Sequence, residues 1–226
     1  MTAVNNEEIL DTNSPLTLAE GGTGIIDAAH LETTDTDSTP VELAYNVSGG
    51  LPNGHLELTT ALGVPITTFT QDDIDNNRVV YIHNGSETTS DSFGFTIDDG
   101  QGTTSAGTFN INITPVNDEE TLVTSDPLSV SEGGSGLIDT LKLQTTDNDN
   151  SPAQLVYLVT GGLANGQLEL TTASGIPIST FTQDDINNNR LVYVHSGTET
   201  TSDSFDFDVD DGQGTISSDT FNIAVS

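Results

Sequence analysis

Acidic side chains end two strand-like segments of the chain, on the side that the pattern turns inward. In the segment 143–149 the inward side carries Leu, Thr and then Asp147 and Asp149, and in 205–211 it ends on Asp211, because side chains alternate between the two faces of a strand. Carboxylates crowded at a core edge lose hydration and repel one another. Calcium takes about six to eight oxygens from carboxylates, Asn side chains and backbone carbonyls. The pattern therefore predicts that these acids bind Ca²⁺.

The same acids occur twice because the chain repeats itself. Residues 14–114 align with residues 126–226 without a gap, so that the offset between the two copies is constant. The stretch FTQDDIDNNRVVYIHNG, which begins at Phe69, returns as FTQDDINNNRLVYVHSG from Phe181. Self-similarity over this length predicts a tandem array of domains. We expect two of them here, at 1–117 and 118–226.

The constant offset makes Asp35, Asp37 and Asp99 candidate calcium ligands of the first copy. An alternative for Asp147 and Asp149, and for their counterparts Asp35 and Asp37, is an acidic turn that is solvated by water. Asp99 and Asp211 each precede a glycine, so each could instead accept hydrogen bonds from its own backbone in a β-turn. Asp98 and Asp210, which come directly before these two residues, lie on the opposite side of their strands and are predicted to face water.

Composition restricts the partners of the chain. It has 35 acidic residues against three basic ones, and a formal net charge of −32. Nucleic acids and anionic membranes need basic patches, so both are excluded as partners. The chain has no cysteine, which excludes disulfides and thiolate metal sites. No apolar run is long enough to insert in a membrane, and the first residues do not resemble a signal peptide. We therefore expect a piece excised from a larger protein.

Short strands are predicted to position the acids. Thr70 and Asp73 are spaced to cap one helical turn, and glycine-containing pairs at 49–50 and 53–54 predict turns. Half-buried strands are indicated by alternating apolar residues at 43–47, 56–58, 93–97 and 109–113. About seven short strands in roughly 100 residues are typical of an antiparallel sandwich. The predicted fold is all-β, with two sandwiches in tandem.

The motifs around these acids resemble the cadherin-like repeats of the chondroitin sulfate proteoglycan type, which occur in bacterial surface adhesins and in animal matrix proteins. The motifs that carry the resemblance are Glu20-Gly-Gly, LQTTDNDNSPAQLVY, GGLANGQLEL, FTQDDI followed by NRLVYVH, TETTSDSFDFDVDDG and the linker PVND. They follow the order of the family and cover nearly the whole of both copies. The resemblance implies Ig-like, Greek-key sandwiches that are strung into extracellular rods.

The resemblance also implies calcium at the junction between successive repeats. The implied ligands are Glu20 and Glu87 of repeat 1, with Asp91 as the alternative acid, then Asn117 and Asp118 of the linker, with Glu119 as a further candidate, and Asp147, Asp149 and Asp211 of repeat 2. Pro115 stands where a cadherin linker has an Asp, which implies fewer ions at each junction. The alternatives are a turn that begins at Glu20 and a polar hinge that Pro115 stiffens without metal.

The function implied by the resemblance is mechanical. We expect a non-enzymatic stalk of a large secreted or cell-surface adhesin, of bacterial origin, in which each sandwich binds its neighbours in the same chain and calcium stiffens the array. One alternative is a calcium-dependent polysaccharide-binding module, although the chain has no Trp and few aromatic residues. Another is self-association into a filament or sheath through exposed strand edges.

Other polar residues are predicted to have structural roles. His83 and His195 recur in both copies without a second His or a Cys nearby, so we expect them to bond strand or turn backbone. Arg78 and Arg190 occupy the same site in each copy and are expected to pair with nearby acids. The sequence contains no nucleophile motif, phosphate-binding loop or zinc spacing, so we expect no enzyme.

Overall fold

The computed structural model describes residues 5–102 and 104–226. The chain forms two compact units, Met1–Val116 and Asn117–Ser226, which we call the first and second repeat. Asn117 thus groups with the second repeat, whereas the sequence-based division placed it in the first. Residues 1–4 of the expected first domain lie outside the described part. No helix among the described residues is both long and apolar enough to cross a bilayer.

The two repeats contain the same succession of strands and α-helices. In the first repeat these are β1 (Ile9–Asn13), β2 (Leu16–Ala19), β3 (Thr23–Ile25), β4 (Leu31–Thr34), β5 (Ala44–Gly50), β6 (Gly54–Leu58), β7 (Thr68–Thr70), α1 (Gln71–Asp75), β8 (Val79–His83), β9 (Ser90–Asp98) and β10 (Ser105–Thr114). In the second they are β11 (Thr121–Ser125), β12 (Leu128–Val130), β13 (Ser135–Leu137), β14 (Leu143–Thr146), β15 (Val156–Gly162), β16 (Gly166–Leu170), a 3₁₀ turn (Thr171–Ala173), β17 (Thr180–Thr182), α2 (Gln183–Asn187), β18 (Leu191–His195), β19 (Ser202–Asp210) and β20 (Ser217–Val225).

Each repeat is a β-sandwich. Its larger sheet has the order β2-β10-β9-β5-β7 in the first repeat and β12-β20-β19-β15-β17 in the second, and its smaller sheet has the order β3-β8-β6 or β13-β18-β16. The pair β1–β4, or β11–β14, forms a separate two-stranded ladder. The first short strand of each larger sheet pairs in parallel with the last strand of its repeat. The predicted all-β fold of two tandem sandwiches is confirmed.

Inward-facing aromatic rings fill each core. In the first repeat Tyr45 stacks on Phe69 with ring centroids 4.9 Å apart, and Phe93 lies 5.3 Å from Phe109. Phe93 and Phe95 are fully buried, as their alternation on β9 predicts. Burying one such side chain contributes about 1.5–3 kcal/mol. This packing fixes the positions at which the strands end, and with them the acids that follow.

The predicted turn at Gly49-Gly50 is wrong. Both residues lie in β5, whose pairing with β9 shifts register between Val47 and Gly49, so they form a bulge. Their φ angles are +150° and +99°. A Cβ on Gly50 would lie 2.3 Å from the carbonyl oxygen of Ser92. Close backbone approach, and not chain reversal, therefore requires glycine here.

The capping box predicted from Thr70 and Asp73 is confirmed at both helices. At α2 the Asp185 N–H donates to the Thr182 hydroxyl at 3.2 Å, and the Thr182 N–H donates back to Asp185 Oδ2 at 2.9 Å. Arg190 Nε also donates to Asp185, at 2.9 Å. Partial burial acts to raise the pKa of Asp185, but the donors of Thr182 and Arg190 outweigh it, so the pKa lies below its usual range.

Replacing Asp185 by asparagine should therefore cost the second repeat about 1 kcal/mol of unfolding free energy at neutral pH. A depressed folded-state pKa contributes stability above the unfolded-state pKa, near 3.9. The contribution is lost as pH falls through the folded-state pKa. The unfolding free energies of the native chain and the variant should therefore become equal in acid. Urea unfolding at pH 7 and near pH 2 measures this, with the exposed Asp126→Asn as the control. A difference that persists in acid would contradict the assigned role.

Candidate metal centre

Three acids of the second repeat converge where strands end. Glu120 directly precedes β11, Asp147 directly follows β14, and Asp211 directly follows β19. Because Thr121 pairs with Thr146 in the β11–β14 ladder, Glu120 and Asp147 occupy the next position of that ladder. One carboxylate oxygen from each of the three acids lies within 4.8 Å of the others.

Backbone donors orient each of these carboxylates through one oxygen. Asp147 Oδ1 accepts from the N–H groups of Asp149 and Asn150, both at 2.8 Å. The other two hydrogen bonds run from Ser217 N–H to Glu120 Oε1 at 2.9 Å and from Gln213 N–H to Asp211 Oδ1 at 2.7 Å. Fixed in this way, each side chain keeps a second oxygen that these backbone donors do not use.

Two of these three second oxygens have no protein partner. Glu120 Oε2 and Asp147 Oδ2 are buried and accept no hydrogen bond. Asn117 donates through Nδ2 to Asp211 Oδ2 at 2.9 Å, and its own Oδ1 is buried without a partner. Buried polar atoms are rarely left unpaired, since each costs free energy. We call Asn117, Glu120, Asp147 and Asp211 the second-repeat cluster.

The first repeat contains the same arrangement. Glu8, Asp35 and Asp99 also bring one oxygen each to within 4.8 Å of the others. Glu8 Oε2, Asp35 Oδ2 and Asp99 Oδ2 are buried without a hydrogen-bond partner, as are both polar side-chain atoms of Asn5. These residues, which we call the first-repeat cluster, correspond one by one to the second-repeat cluster at the offset that relates the two copies.

Hydrogen bonds keep members of the clusters ionised. The backbone N–H of Gln213, followed by the Asn117 amide, holds the pKa of Asp211 below its usual range. In the first repeat the backbone N–H of Asp37 lowers the pKa of Asp35, while the hydrogen bond between the two carboxyl groups raises the pKa of Asp37. Each cluster thus collects negative charge that a bound cation would neutralise.

Asp37 and Asp149, two of the predicted ligands, are exposed and lie beside the clusters. The chain turns directly after Asp147, so the inward phase does not continue to Asp149. Asp149 Oδ2 instead accepts from the N–H of Asp118 at 2.8 Å, and Asp118 Oδ2 accepts from the Asn148 amide at 2.7 Å. Asp118 and Asp149 therefore connect the start of the second repeat to the loop that follows β14.

The structure places Asp91 elsewhere, with partners of its own. Its carboxylate accepts from the Tyr81 hydroxyl at 2.8 Å, from Asn53 N–H at 3.2 Å and from Ser92 N–H at 2.8 Å. Asp203 makes the corresponding hydrogen bonds in the second repeat. These contacts give Asp91 a structural role in joining the two sheets.

Glu20 and Glu87 lie where the chain leaves the first repeat. The Glu20 N–H donates to Thr114 O at 2.9 Å, and Glu20 Oε2 is 3.5 Å from the N–H of Val116. Glu87 is exposed and lies two residues before Thr89. The Thr89 carbonyl accepts from the Ile113 N–H at 3.0 Å. Both acids therefore lie close to the last residues of the first repeat.

The structural roles predicted for the histidines and arginines are confirmed. His83 Nδ1 accepts from the N–H groups of Gly21 and Gly85 at 3.0 and 3.2 Å, and Nε2 contacts the Thr88 hydroxyl at 3.1 Å. His195 has the same contacts. The arginines pair with the acids at the start of the nearby helix, Asp72 and Asp73 or Asp184 and Asp185.

Sequence reasoning missed Asn5, Glu8 and Glu120. These residues precede the first strand of their repeats, so strand phase says nothing about them. The internal repeat could have identified them, because the same offset also matches Asn5 to Asn117 and Glu8 to Glu120. Extending the internal alignment upstream of residue 14 would have found them.

Comparisons with known proteins agree with this architecture. A family model described as cadherin-like matches residues 9–113 and again residues 121–225. FRAS1-related extracellular matrix protein 2 of Homo sapiens is 35% identical over 201 residues, which cover 88% of this chain and 6% of that protein. Chondroitin sulfate proteoglycan 4 of Rattus norvegicus is 33% identical over 200 residues, which cover 83% of this chain and 8% of that protein. The chain thus spans only a small part of these relatives.

Solved structures share the fold. The protocadherin GammaB4 extracellular domain has a TM-score of 0.55 at 15% identity, with 100% of this chain and 33% of that chain covered. Human CDH23 EC21-23 has a TM-score of 0.54 at 14% identity, with 97% of this chain and 64% of that chain covered. The likeness to these two structures is one of fold alone. The family model and the sequence relatives show more: the chain belongs to the cadherin-like family.

Proposed function

We propose that the chain is a non-enzymatic spacer of a large cell-surface adhesin, in which one calcium ion at the start of each repeat stiffens the passage from the preceding repeat. The observation that carries this proposal is that Glu120, Asp147 and Asp211 converge. Beside them, Asn117, Glu120 and Asp147 each have a buried oxygen without a partner, and the first repeat contains the same arrangement. The relatives are named as extracellular matrix proteins and as a proteoglycan, which supports a structural role outside the cell.

The chemistry of both clusters fits a hard cation. Each offers three carboxylates and one Asn side chain, with no sulfur or imidazole ligand, and oxygen ligands favour calcium or magnesium over transition metals. Calcium tolerates irregular arrangements of protein oxygens. Magnesium demands a near-ideal octahedron and usually keeps several waters. A preformed, largely protein-lined group such as Glu120, Asp147 and Asp211 therefore suits calcium better.

The position of the second-repeat cluster supports a mechanical role. Asn117 is the first residue of the second repeat and directly follows Val116, the last residue of the first. A cation held by Asn117 and Glu120 would immobilise the chain where one repeat passes into the next. Extracellular modules bind calcium with dissociation constants of about 0.1–1 mM. The cluster would therefore fill outside the cell and empty in calcium-poor compartments.

Small-angle scattering of the whole chain tests the stiffening. In about 5 mM calcium, several times the expected dissociation constant, the distance distribution should be narrow with a fixed maximum dimension. Excess chelator should broaden it, because an emptied cluster leaves like charges that repel. Glu120→Gln in calcium should scatter like the chelated native chain, and magnesium at the same concentration controls for ionic strength. An unchanged distribution after calcium removal would contradict stiffening, while calorimetric titration would show separately whether calcium binds.

A further inference from the structure

The second repeat has an apolar groove with an acidic side on the outer face of its larger sheet. The groove has a volume of about 420 Å³, and its lining includes Val156, Leu158, Asp208, Asp210 and Ile216. The three apolar side chains are 40%, 47% and 56% exposed. Single exposed apolar residues are ordinary on a protein surface, but apolar residues gathered in a groove mark interaction sites.

Strand pairing places apolar and acidic side chains next to each other. On the outer face Val156 of β15 pairs with Asp210 of β19, and Leu158 pairs with Asp208. Ile216 lies just before β20, on the other side of β19. A column of acids therefore runs between two apolar borders.

The acids form a regular row. Asp206, Asp208 and Asp210 alternate with buried residues along β19, so neighbouring members of the row are about 6.6 Å apart along the strand. Hydrogen bonds within the repeat hold one oxygen of each: from Ser218 Oγ to Asp208 Oδ1 at 2.6 Å, from Thr220 Oγ1 to Asp206 Oδ1 at 2.7 Å and from Gly212 N to Asp210 Oδ1 at 2.7 Å. The spacing matches that of alternate side chains in another extended chain.

The fold does not require the residues that line this groove, because the first repeat has different ones at most of the corresponding positions. The alignment of the two copies puts Ala44 and Asn46 at the two apolar positions of β15, Gly94 and Thr96 at two of the three acidic positions of β19, and Thr104 at the position of the isoleucine. Two copies that are otherwise so similar thus differ together at neighbouring outer-face positions. The apolar borders and the complete row of three acids are therefore particular to the second repeat and are not required by the sandwich.

We propose that the groove docks an extended, basic segment of a partner protein, with Lys or Arg at every second position. The cationic groups would reach the row of acids while their alkyl stems lie on Val156 and Leu158. Charge argues against other occupants. A second copy of this chain carries the same net charge of −32, and an acidic glycan would meet the same repulsion.

A fluorescein-labelled peptide, Lys-Val-Lys-Thr-Lys-Val-Lys, tests the proposal by fluorescence anisotropy with the whole chain. The measurement uses excess calcium and about 0.15 M salt, which screens non-specific attraction. The combined change Val156→Ala, Leu158→Asn and Asp208→Thr should weaken binding by about tenfold or more. Since each new residue is the one at that position in the first repeat, thermal unfolding should change little. Asp126→Asn removes the same single charge outside the groove and should change affinity by less than about twofold.

A gain-of-function variant provides the second test. Ala44→Val, Asn46→Leu, Thr96→Asp and Thr104→Ile together should build the groove on the first repeat and raise the stoichiometry from one peptide to two. Equal loss of binding in the groove variant and in Asp126→Asn would overturn the proposal, as would equal binding of a peptide with its four lysines grouped at one end. So would binding that calcium abolishes and that Glu120→Gln removes, since the peptide would then occupy the second-repeat cluster.

Discussion

Replacing Glu120 by glutamine is expected to abolish the calcium-dependent stabilisation of the second repeat. A ligand that binds only the folded state at ten to a hundred times its dissociation constant stabilises it by about 1.4–2.7 kcal/mol. For a domain of roughly 100 residues this raises the melting temperature by about 6–20 °C. The native chain should show this increase in about 10 mM calcium. The variant should not, because its amide removes both a charge and a ligand oxygen from the cluster.

Glu119→Gln is the matched control because it makes the same chemical change one residue earlier. The Glu119 carboxylate points elsewhere and accepts from the Thr215 N–H at 2.8 Å and from the Thr215 hydroxyl at 2.7 Å. This variant should keep the full calcium response, although its stability without calcium can fall slightly. Differential scanning calorimetry resolves the effect if the first-repeat transition, which both variants leave unchanged, serves as an internal reference. Equal calcium responses in the two variants would show that charge alone, and not the cluster, determines the effect.

Replacing Gln183 by leucine is expected to cost the second repeat about 1–3 kcal/mol of unfolding free energy. Gln183 is almost fully buried, and its Oε1 accepts from Thr145 N–H at 2.9 Å and from the Tyr157 hydroxyl at 2.7 Å. Leucine would leave the Thr145 N–H buried without an acceptor, which costs about 1–3 kcal/mol. The Tyr157 hydroxyl would keep the Thr145 hydroxyl as its partner, at 2.6 Å. Gln71 makes the same contacts in the first repeat.

The calcium response should fall as well in Gln183→Leu, because Thr145 lies only two residues before Asp147. Gln183 accepts the Thr145 N–H and thereby fixes the end of β14, which Asp147 directly follows. Gln144→Leu, the same change on the partly exposed neighbour of Thr145, is the control and should alter stability by no more than about 0.5 kcal/mol. Urea unfolding with and without calcium measures both effects. Similar midpoints for the two variants would contradict the role assigned to Gln183.

Periodicity predicted several of the strands and the acids that continue them. The alternation at 93–97 and 109–113 located β9 and β10, and the inward phase of β14 and β19 led to Asp147 and Asp211. The Thr70 capping box was also readable, since its two residues lie three positions apart. These features depend on local geometry, which neighbouring residues determine.

The remaining parts depend on contacts between distant segments or on the exact end of a strand. Glu120 joins Asp147 only because the β11–β14 ladder pairs Thr121 with Thr146, and nothing local to Glu120 indicates that pairing. Asp149 does not lie on the inward side, because the chain turns directly after Asp147. The Asp147 carboxylate accepts the N–H groups of Asp149 and Asn150 in that turn. Gly49-Gly50 became a bulge because β9 approaches closely. Strand phase alone could not anticipate any of these three results.

A crystal structure of the chain grown in excess calcium tests the central claim most directly. The expected result is an anomalous difference peak in each cluster, about 2.3–2.6 Å from the ligand oxygens, which in the second repeat include Glu120 Oε2, Asp147 Oδ2 and Asn117 Oδ1. Electron density that shows these oxygens hydrogen-bonded to water or turned away from one another, with no peak between them, would contradict it.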